Sequence, residues 1–216
     1  MDFYTILGLT GGLAWTLAYI EAIRLGFTQK TFAIPFWALA LNFSWELVQS
    51  AYSIRHNSFS LQSYINIIWL LFDVLILVTY FLYGKKGFKN YANPAYFIPY
   101  SLIVLLISML IEYAFIKEFG GNDGAVYSAF LQNVFMSVLF ILMLIERRNN
   151  NGQSLFLAIS KGIGTAANTV LFGALGQADL ANLVFILGGI CFFLDFIYIY
   201  MLFKAKASEV SIKIGS

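Results

Sequence analysis

Seven apolar runs, at approximately residues 3–23, 31–54, 61–83, 95–116, 125–146, 154–175 and 180–203, leave this chain few ways to fold. Each is long enough to cross a hydrocarbon core as a helix, which takes about 20 residues. The connections are short, and several hold polar or helix-breaking residues: Gly84, Asn93-Pro94 and Gly120-Gly121-Asn122-Asp123-Gly124. No stretch leaves room for a soluble domain. The expectation is an all-α, polytopic membrane protein, one domain over residues 1–216, built as a bundle of seven transmembrane helices. Composition agrees, because 11% of residues are charged, against about 25% in soluble domains. The first run lacks a basic n-region and continues to spanning length, so it reads as a helix and not as a cleaved signal. The sixth run is the most diluted, by Lys161, Gly162, Gly164 and Asn168.

Charge orients the bundle. Arg24 and Lys30 fall in the first connection, Lys85, Lys86 and Lys89 in the third, Arg147 and Arg148 in the fifth, and Lys204, Lys206 and Lys213 in the tail. The opposite side carries Arg55 and Lys117 with Asp2, Glu118, Asp123 and Asp179. Lys161 enters the sixth helix from the basic side. The positive-inside rule then puts the N-terminus outside and the C-terminus in the cytoplasm. The host membrane, a cell membrane or the endoplasmic reticulum, is left open.

Several functions drop out. A net charge of +2 gives nucleic acid nothing to hold. One cysteine, Cys191, allows neither an intrachain disulfide nor a cysteine-based metal cluster, and the lone histidine, His56, leaves a histidine metal site or a Ser-His-Asp triad without its parts. No Walker A loop, GxGxxG, HExxH or CxxC is present. A retinal site needs a lysine deep in the last helix, and Lys204 sits at its end. No cofactor or metal is expected.

What remains is a set of polar residues inside the apolar runs. An ionisable group at that depth costs roughly 2.5–3.5 kcal/mol on insertion scales, and it turns toward a bundle interior or a cavity. On the second helix Asn42, Glu46, Gln49 and Ser53 follow spacings of 4, 3 and 4, which puts them on one face. Asn66, Trp69, Asp73 and Tyr80 do the same on the third. Gly188, Cys191, Asp195, Tyr198 and Leu202 form a stripe on the seventh. The fifth contributes Gln132 and Asn133, and the sixth Asn168. Position along each helix sets Glu46, Gln132 and Asn168 in the outer part of the membrane and Asp73 and Asp195 nearer its middle. All are expected to line one pocket opening outward.

A purely architectural reading stands beside this one. Asn42, Gln132, Asn133 and Asn168 suit interhelical hydrogen bonding. Asp73 is balanced between that role and a pocket. Glu21 and Glu112 lie near the interfaces, where they are expected to reach solvent or pair locally. Gly162, Ala166, Gly173 and Gly188 suit close helix packing, and part of the aromatic content belongs to interfacial belts. Glu46 and Asp195 stand apart: both are ionisable and deep, and neither has a base on its own helix. An acid–base pair in a dry cavity suits proton transfer to an alkene or an epoxide oxygen, with nearby donors such as Asn42 or Gln49 steadying the carboxylate left behind. Aromatic faces would stabilise the resulting cation, and a second carboxylate would take the final proton. That chemistry needs no metal.

Asn42-x-x-Trp45-Glu46 on the second helix and Asp195 on the last, with a looser match at Trp69, Asp73 and Gln132-Asn133, resemble the integral-membrane terpene cyclases of meroterpenoid and indole-diterpene biosynthesis. The resemblance spans the whole seven-helix topology. It implies metal-independent cyclisation of a linear prenyl chain, often epoxidised and often joined to an aromatic or indole head group. It also implies that Glu46 and Asp195 are the catalytic acids, Glu46 protonating the substrate and Asp195 assisting. Asn42, Trp45, Gln49, Trp69, Asp73, Gln132, Asn133, Asn168 and Tyr198 are the candidate substrate-binding residues. The partners are then a lipophilic prenylated substrate and the lipid bilayer.

Two other readings stay open. Asp73 in Trp69–Ile76 and Asp195 in Phe192–Ile199 form a weak internal echo, as a parallel three-helix repeat in a small transporter would produce. A bundle subunit with structural polar residues only would tolerate loss of both carboxyls.

Overall fold

Local chemistry places the ends of seven α-helices in the computed structural model, which describes residues 2–56 and 60–214. Helix α1 (Phe3–Thr28) is capped by Asp2, whose carboxylate accepts from the Thr5 amide at 2.8 Å. Helix α2 (Phe36–Arg55) starts at Pro35, not near residue 31 as the apolar run suggests. Proline lacks an amide proton and disfavours helical geometry in the residue before it, so the chain enters α2 from an extended segment. Ser60 and Ser63 cap α3 (Leu61–Phe88) reciprocally. A 3₁₀ turn, Pro94–Tyr96, leads into α4 (Phe97–Phe119). Gly120, at φ 82°, is the whole connection to α5 (Gly121–Arg147), where the apolar runs leave residues 117–124 between them. Only glycine takes that backbone geometry without strain. Ser154 caps α6 (Leu155–Asn168), which runs on as a π-helical turn, Thr169–Ala174. Helix α7 (Ala181–Ile214) continues past its apolar run through Lys204 and Lys206.

Among the described residues, six segments are long and apolar enough to cross a membrane: α1, α3, Pro94–Phe119, α5, Leu155–Ala174 and Ala181–Lys206. Their outward faces carry Leu13, Leu71, Leu102, Leu110, Ile186 and Phe193, all exposed, the pattern of a lipid-facing surface. Helix α2 is not among the six. Asn42, Ser44, Glu46, Gln49 and Ser50 dilute it, and all five are buried. It packs against α3, α4 and α5. The remaining contacts close a circuit in the order α1–α3–α2–α5–α7–α6 and back to α1, with α4 against α2 and α5. One end of this circuit is latched by its loops. Arg147 donates to the Phe32 carbonyl at 3.0 Å and lies over the Phe32 ring, and the Gly152 amide donates to Gln29 at 2.6 Å.

Two glycines of the expected packing set hold α7 close to the π turn. Gly188 meets Thr169, and a β-carbon on Gly173 would sit 2.8 Å from both the Phe185 amide nitrogen and its Cα. A backbone neighbour cannot swing aside as a side chain does. Gly173→Val is therefore expected to destabilise the bundle by about 1–3 kcal/mol, read as a lowered Tm in detergent; an unchanged Tm would contradict this packing.

Candidate active site

Three helices bring two carboxyl groups into one hydrogen-bond network. The Tyr19 hydroxyl on α1 donates to Glu46 Oε1 on α2 at 3.4 Å. One proton of the Asn42 amide goes to the Tyr19 oxygen, and the other to Asp73 Oδ2 on α3 at 2.9 Å. Both donors of Asn42 are thus committed. Glu46 is 1% exposed and Asp73 is fully buried. Glu46 Oε2 and Asp73 Oδ1 have no hydrogen-bond partner, and the network holds no cation among the described residues. Trp69, one turn before Asp73, stacks on Tyr19 at 5.7 Å between ring centres and donates to Thr16 at 3.0 Å.

A second centre lies between α5, α6 and α7. Lys161 Nζ donates to Asp195 Oδ1 at 2.7 Å, to Oδ2 at 2.9 Å and to Ser137 Oγ at 2.8 Å. Lysine and aspartate are both buried. The sequence marks Lys161 only as entering α6 from the basic side. In the fold it lies six residues beyond the start of the helix, about 9 Å along its axis, and gives Asp195 a counter-ion from a neighbouring helix.

The two centres share a cavity. Tyr19 and Asn42 of the first centre and Lys161 of the second line its wall with Trp15, Met136 and Phe140, while Glu46, Asp73 and Asp195 lie behind it. Its volume is about 20 Å³, room for roughly one water. It lies toward the α1–α2 and α5–α6 loops, the latched end of the bundle. Of the residues expected to bind substrate, Asn42 alone is on this wall. Asp73 and Trp69 stand directly behind it, in contact with Asn42 and Tyr19.

The other candidates are placed elsewhere. Trp45 donates to the Ala125 carbonyl at 2.9 Å, tying α2 to α5. Asn133 donates to Thr165 at 2.8 Å. Asn168 packs against Gly11 of α1, and Tyr198 donates to Gln153 at 2.9 Å while its ring meets Phe140. Gln49 and Gln132 are buried, each with a polar atom lacking a partner. Glu21 pairs locally with Arg24, as expected, and also accepts from Ser154 at 2.7 Å. Glu112 departs from expectation: it is 1% exposed, beside Ser128 but without a well-formed hydrogen bond. Close α4–α5 packing, set by the one-residue turn at Gly120, removes its path to solvent. The two aspartates of the internal echo have unlike surroundings, an amide for Asp73 and an ammonium for Asp195.

Sequence reasoning overlooked Tyr19, Trp15 and Lys161. Trp15 and Tyr19 lie one turn apart on α1, a spacing that aligns two aromatics on one face, and Lys161 is the only charge within α6. Tyr19→Phe deletes the hydroxyl that links Asn42 to Glu46 and leaves a buried amide proton and a buried carboxyl oxygen unpaired. The expected cost is about 1–3 kcal/mol, measured by thermal or denaturant unfolding; no loss would mean that this link is not made.

Comparison with known proteins bears on this site. A profile of the Pyr4-like transmembrane terpene cyclases matches residues 2–208. The chain is similar to the Pyr4-family terpene cyclase mfmH of Annulohypoxylon moriforme, 25% identical over 166 residues, which covers 76% of this chain and 67% of that protein. It is similar to the terpene cyclase ascF of Acremonium egyptiacum, 26% identical over 171 residues, covering 72% and 61%. Similarity to the terpene cyclase pyr4 of Aspergillus fumigatus is lower, 21% over 213 residues, but extends over 93% and 86%. The matched segment thus spans about two thirds or less of the first two relatives' own length. No solved structure matches.

Proposed function

This multi-pass membrane protein belongs to the Pyr4-like transmembrane terpene cyclases, and on that footing we propose that it cyclises a linear, lipophilic prenyl chain by acid–base catalysis without a metal. The observation that carries the reading is the placement of Glu46 and Asp73 in a cation-free network behind Tyr19 and Asn42, on the wall of an aromatic cavity. Two bare charges there would each cost several kcal/mol, so the network is read as a store of transferable protons. Glu46 is the initiating acid. Its proton passes to an alkene carbon or an epoxide oxygen, and the Tyr19 hydroxyl, itself held by Asn42, supports the carboxylate that remains.

The cation formed then meets the faces of Trp15, Tyr19 and Phe140, which stabilise positive charge without reacting with it. Loss of a proton to Asp195 ends the reaction. One proton enters and one leaves, so the product is an isomer of the substrate. A ligand of drug size takes about 300–1,000 Å³, far more than the cavity holds, so substrate entry displaces wall side chains. An aromatic or indole head group on the chain is compatible with this scheme. The basic loops support an external N-terminus and a cytoplasmic C-terminus, with α2 crossing as the seventh span.

The test is expression of the chain with linear prenyl substrates, with and without a terminal epoxide, followed by product analysis. Cyclic isomers are expected, and chelators should leave the yield unchanged; recovery of linear substrate alone across the series would refute the proposal. Single cysteines placed at Asp179 and Lys206 report topology through a membrane-impermeant thiol reagent. Labelling is expected from outside at residue 179 and only after permeabilisation at residue 206.

A further inference from the structure

We infer that Lys161 is a positioning residue that holds Asp195 in the ionised form and so fixes it as the base that ends the cyclisation, not as a second acid. The inference rests on the reading of the chain as a cyclase and adds a residue and a division of labour to it. An ammonium has three protons to give. Here all three are committed, two to the Asp195 oxygens and one to Ser137 Oγ. Ser137 spends its own proton on the Asn133 carbonyl at 3.0 Å, so its oxygen is free to accept. Lys161 therefore has no proton left for a substrate oxygen, although its side chain lines the cavity. What it does, it does through Asp195.

The geometry also separates the two carboxyl centres. Asp195 faces a cation at hydrogen-bond distance, and both of its oxygens act as acceptors. Glu46 and Asp73 hydrogen-bond only to neutral groups, Tyr19 and Asn42, and the ionisable group near Glu46 is the second carboxyl, not a cation. A carboxyl paired with an ammonium is stabilised as a carboxylate, whereas one among neutral groups is cheaper to bury with its proton. The cavity thus borders one centre suited to give a proton and another suited to take one, each carboxyl lying behind a lining residue, Glu46 behind Tyr19 and Asp195 behind Lys161. In the closing step a C–H bond next to the cationic carbon breaks, its electron pair forms the alkene, and the proton becomes the O–H of Asp195. The Lys161–Asp195 pair is neutral before that step, so it does not repel the approaching cation.

The test uses the full chain in detergent or nanodiscs and begins without substrate. Infrared difference spectra compare wild type with Lys161→Met/Asp195→Leu, which removes both charges together. The expected loss is an ionised-carboxylate band; loss of a protonated-carboxyl band instead overturns the inference. Lys161→Gln is expected to convert that ionised band into a protonated one, and persistence of the ionised band also overturns it. Should Lys161→Gln fail to fold, the first comparison decides alone. With prenyl substrate, Lys161→Gln is expected to shift products from cyclic alkenes toward water-captured alcohols and to lower turnover roughly 10²–10⁴-fold, the span of general acid–base catalysis. A smaller yield with an unchanged alkene-to-alcohol ratio would assign Lys161 a structural role only and refute the inference. Failure of wild type to cyclise any prenyl chain would fall on the cyclase reading, and the infrared result would still report the state of the pair.

Discussion

Glu46→Gln is expected to give a folded bundle whose cyclisation is lowered roughly 10²–10⁴-fold, the usual contribution of a positioned proton donor. The substitution keeps the length of the side chain and an oxygen that accepts from Tyr19, and it removes the only proton that the proposed first step transfers. Unfolding temperature and product yield must therefore be measured on the same preparation. Retained Tm with lost turnover is the expected pair of results. Full turnover would move the initiating acid elsewhere, with Asp73 the nearest alternative, because Asn42 connects it to the same network. Asp73→Asn is a less clean probe, since it leaves the Asn42 amide facing a second amide.

Asp195→Asn is expected to lose both turnover and stability. It strands the Lys161 ammonium in the interior without its counter-charge, and breaking a buried pair from one side costs about 3–5 kcal/mol. Removing both partners at once, as Lys161→Met/Asp195→Leu, should recover most of that stability, because apolar residues of similar volume often replace a buried ion pair at little cost. Turnover should not return. Denaturant unfolding of the wild type, the single variant and the double variant checks this; a double variant no more stable than Asp195→Asn would show that the pair is not what the single change disrupts.

How much of this was legible in the chain depends on whether the signal is local or crosses helices. The inward face of α2 was readable, because spacings of 4 and 3 set Asn42, Glu46 and Gln49 in line whatever surrounds them, and all three are buried. The buried stripes of α3 and α7 were readable for the same reason. Pro35 was a legible start signal for α2, hidden by apolar residues on both sides of it. The pairing of Lys161 with Asp195 was not legible, since residues 34 positions apart meet only through the packing of α6 on α7. Tyr19 offered no charge, and only its one-turn spacing from Trp15 set it apart among 13 tyrosines. Glu112 was misjudged because distance from a helix end measures depth along the axis and says nothing of what covers the side. Trp45 and Tyr198 show the converse: polar tips on buried aromatics that spend their hydrogen bonds on Ala125 and Gln153, joining elements instead of facing the cavity.

The polarity of α2 also bears on how the protein is made. A segment that carries Asn42, Glu46 and Gln49 is a poor candidate for leaving an insertion machinery on its own, for its partition into lipid is opposed by each of those groups. Its partners arrive in a fixed order during synthesis. Helix α1, which supplies Tyr19, is already in place when α2 emerges, whereas Asp73 on α3 comes 31 residues after Asn42. Helices α4 and α5, which cover the rest of α2, come later still. Helix α2 is thus expected to wait at a protein-lined boundary until its neighbours appear, so that the polar groups proposed to run the chemistry also set the order in which the bundle assembles.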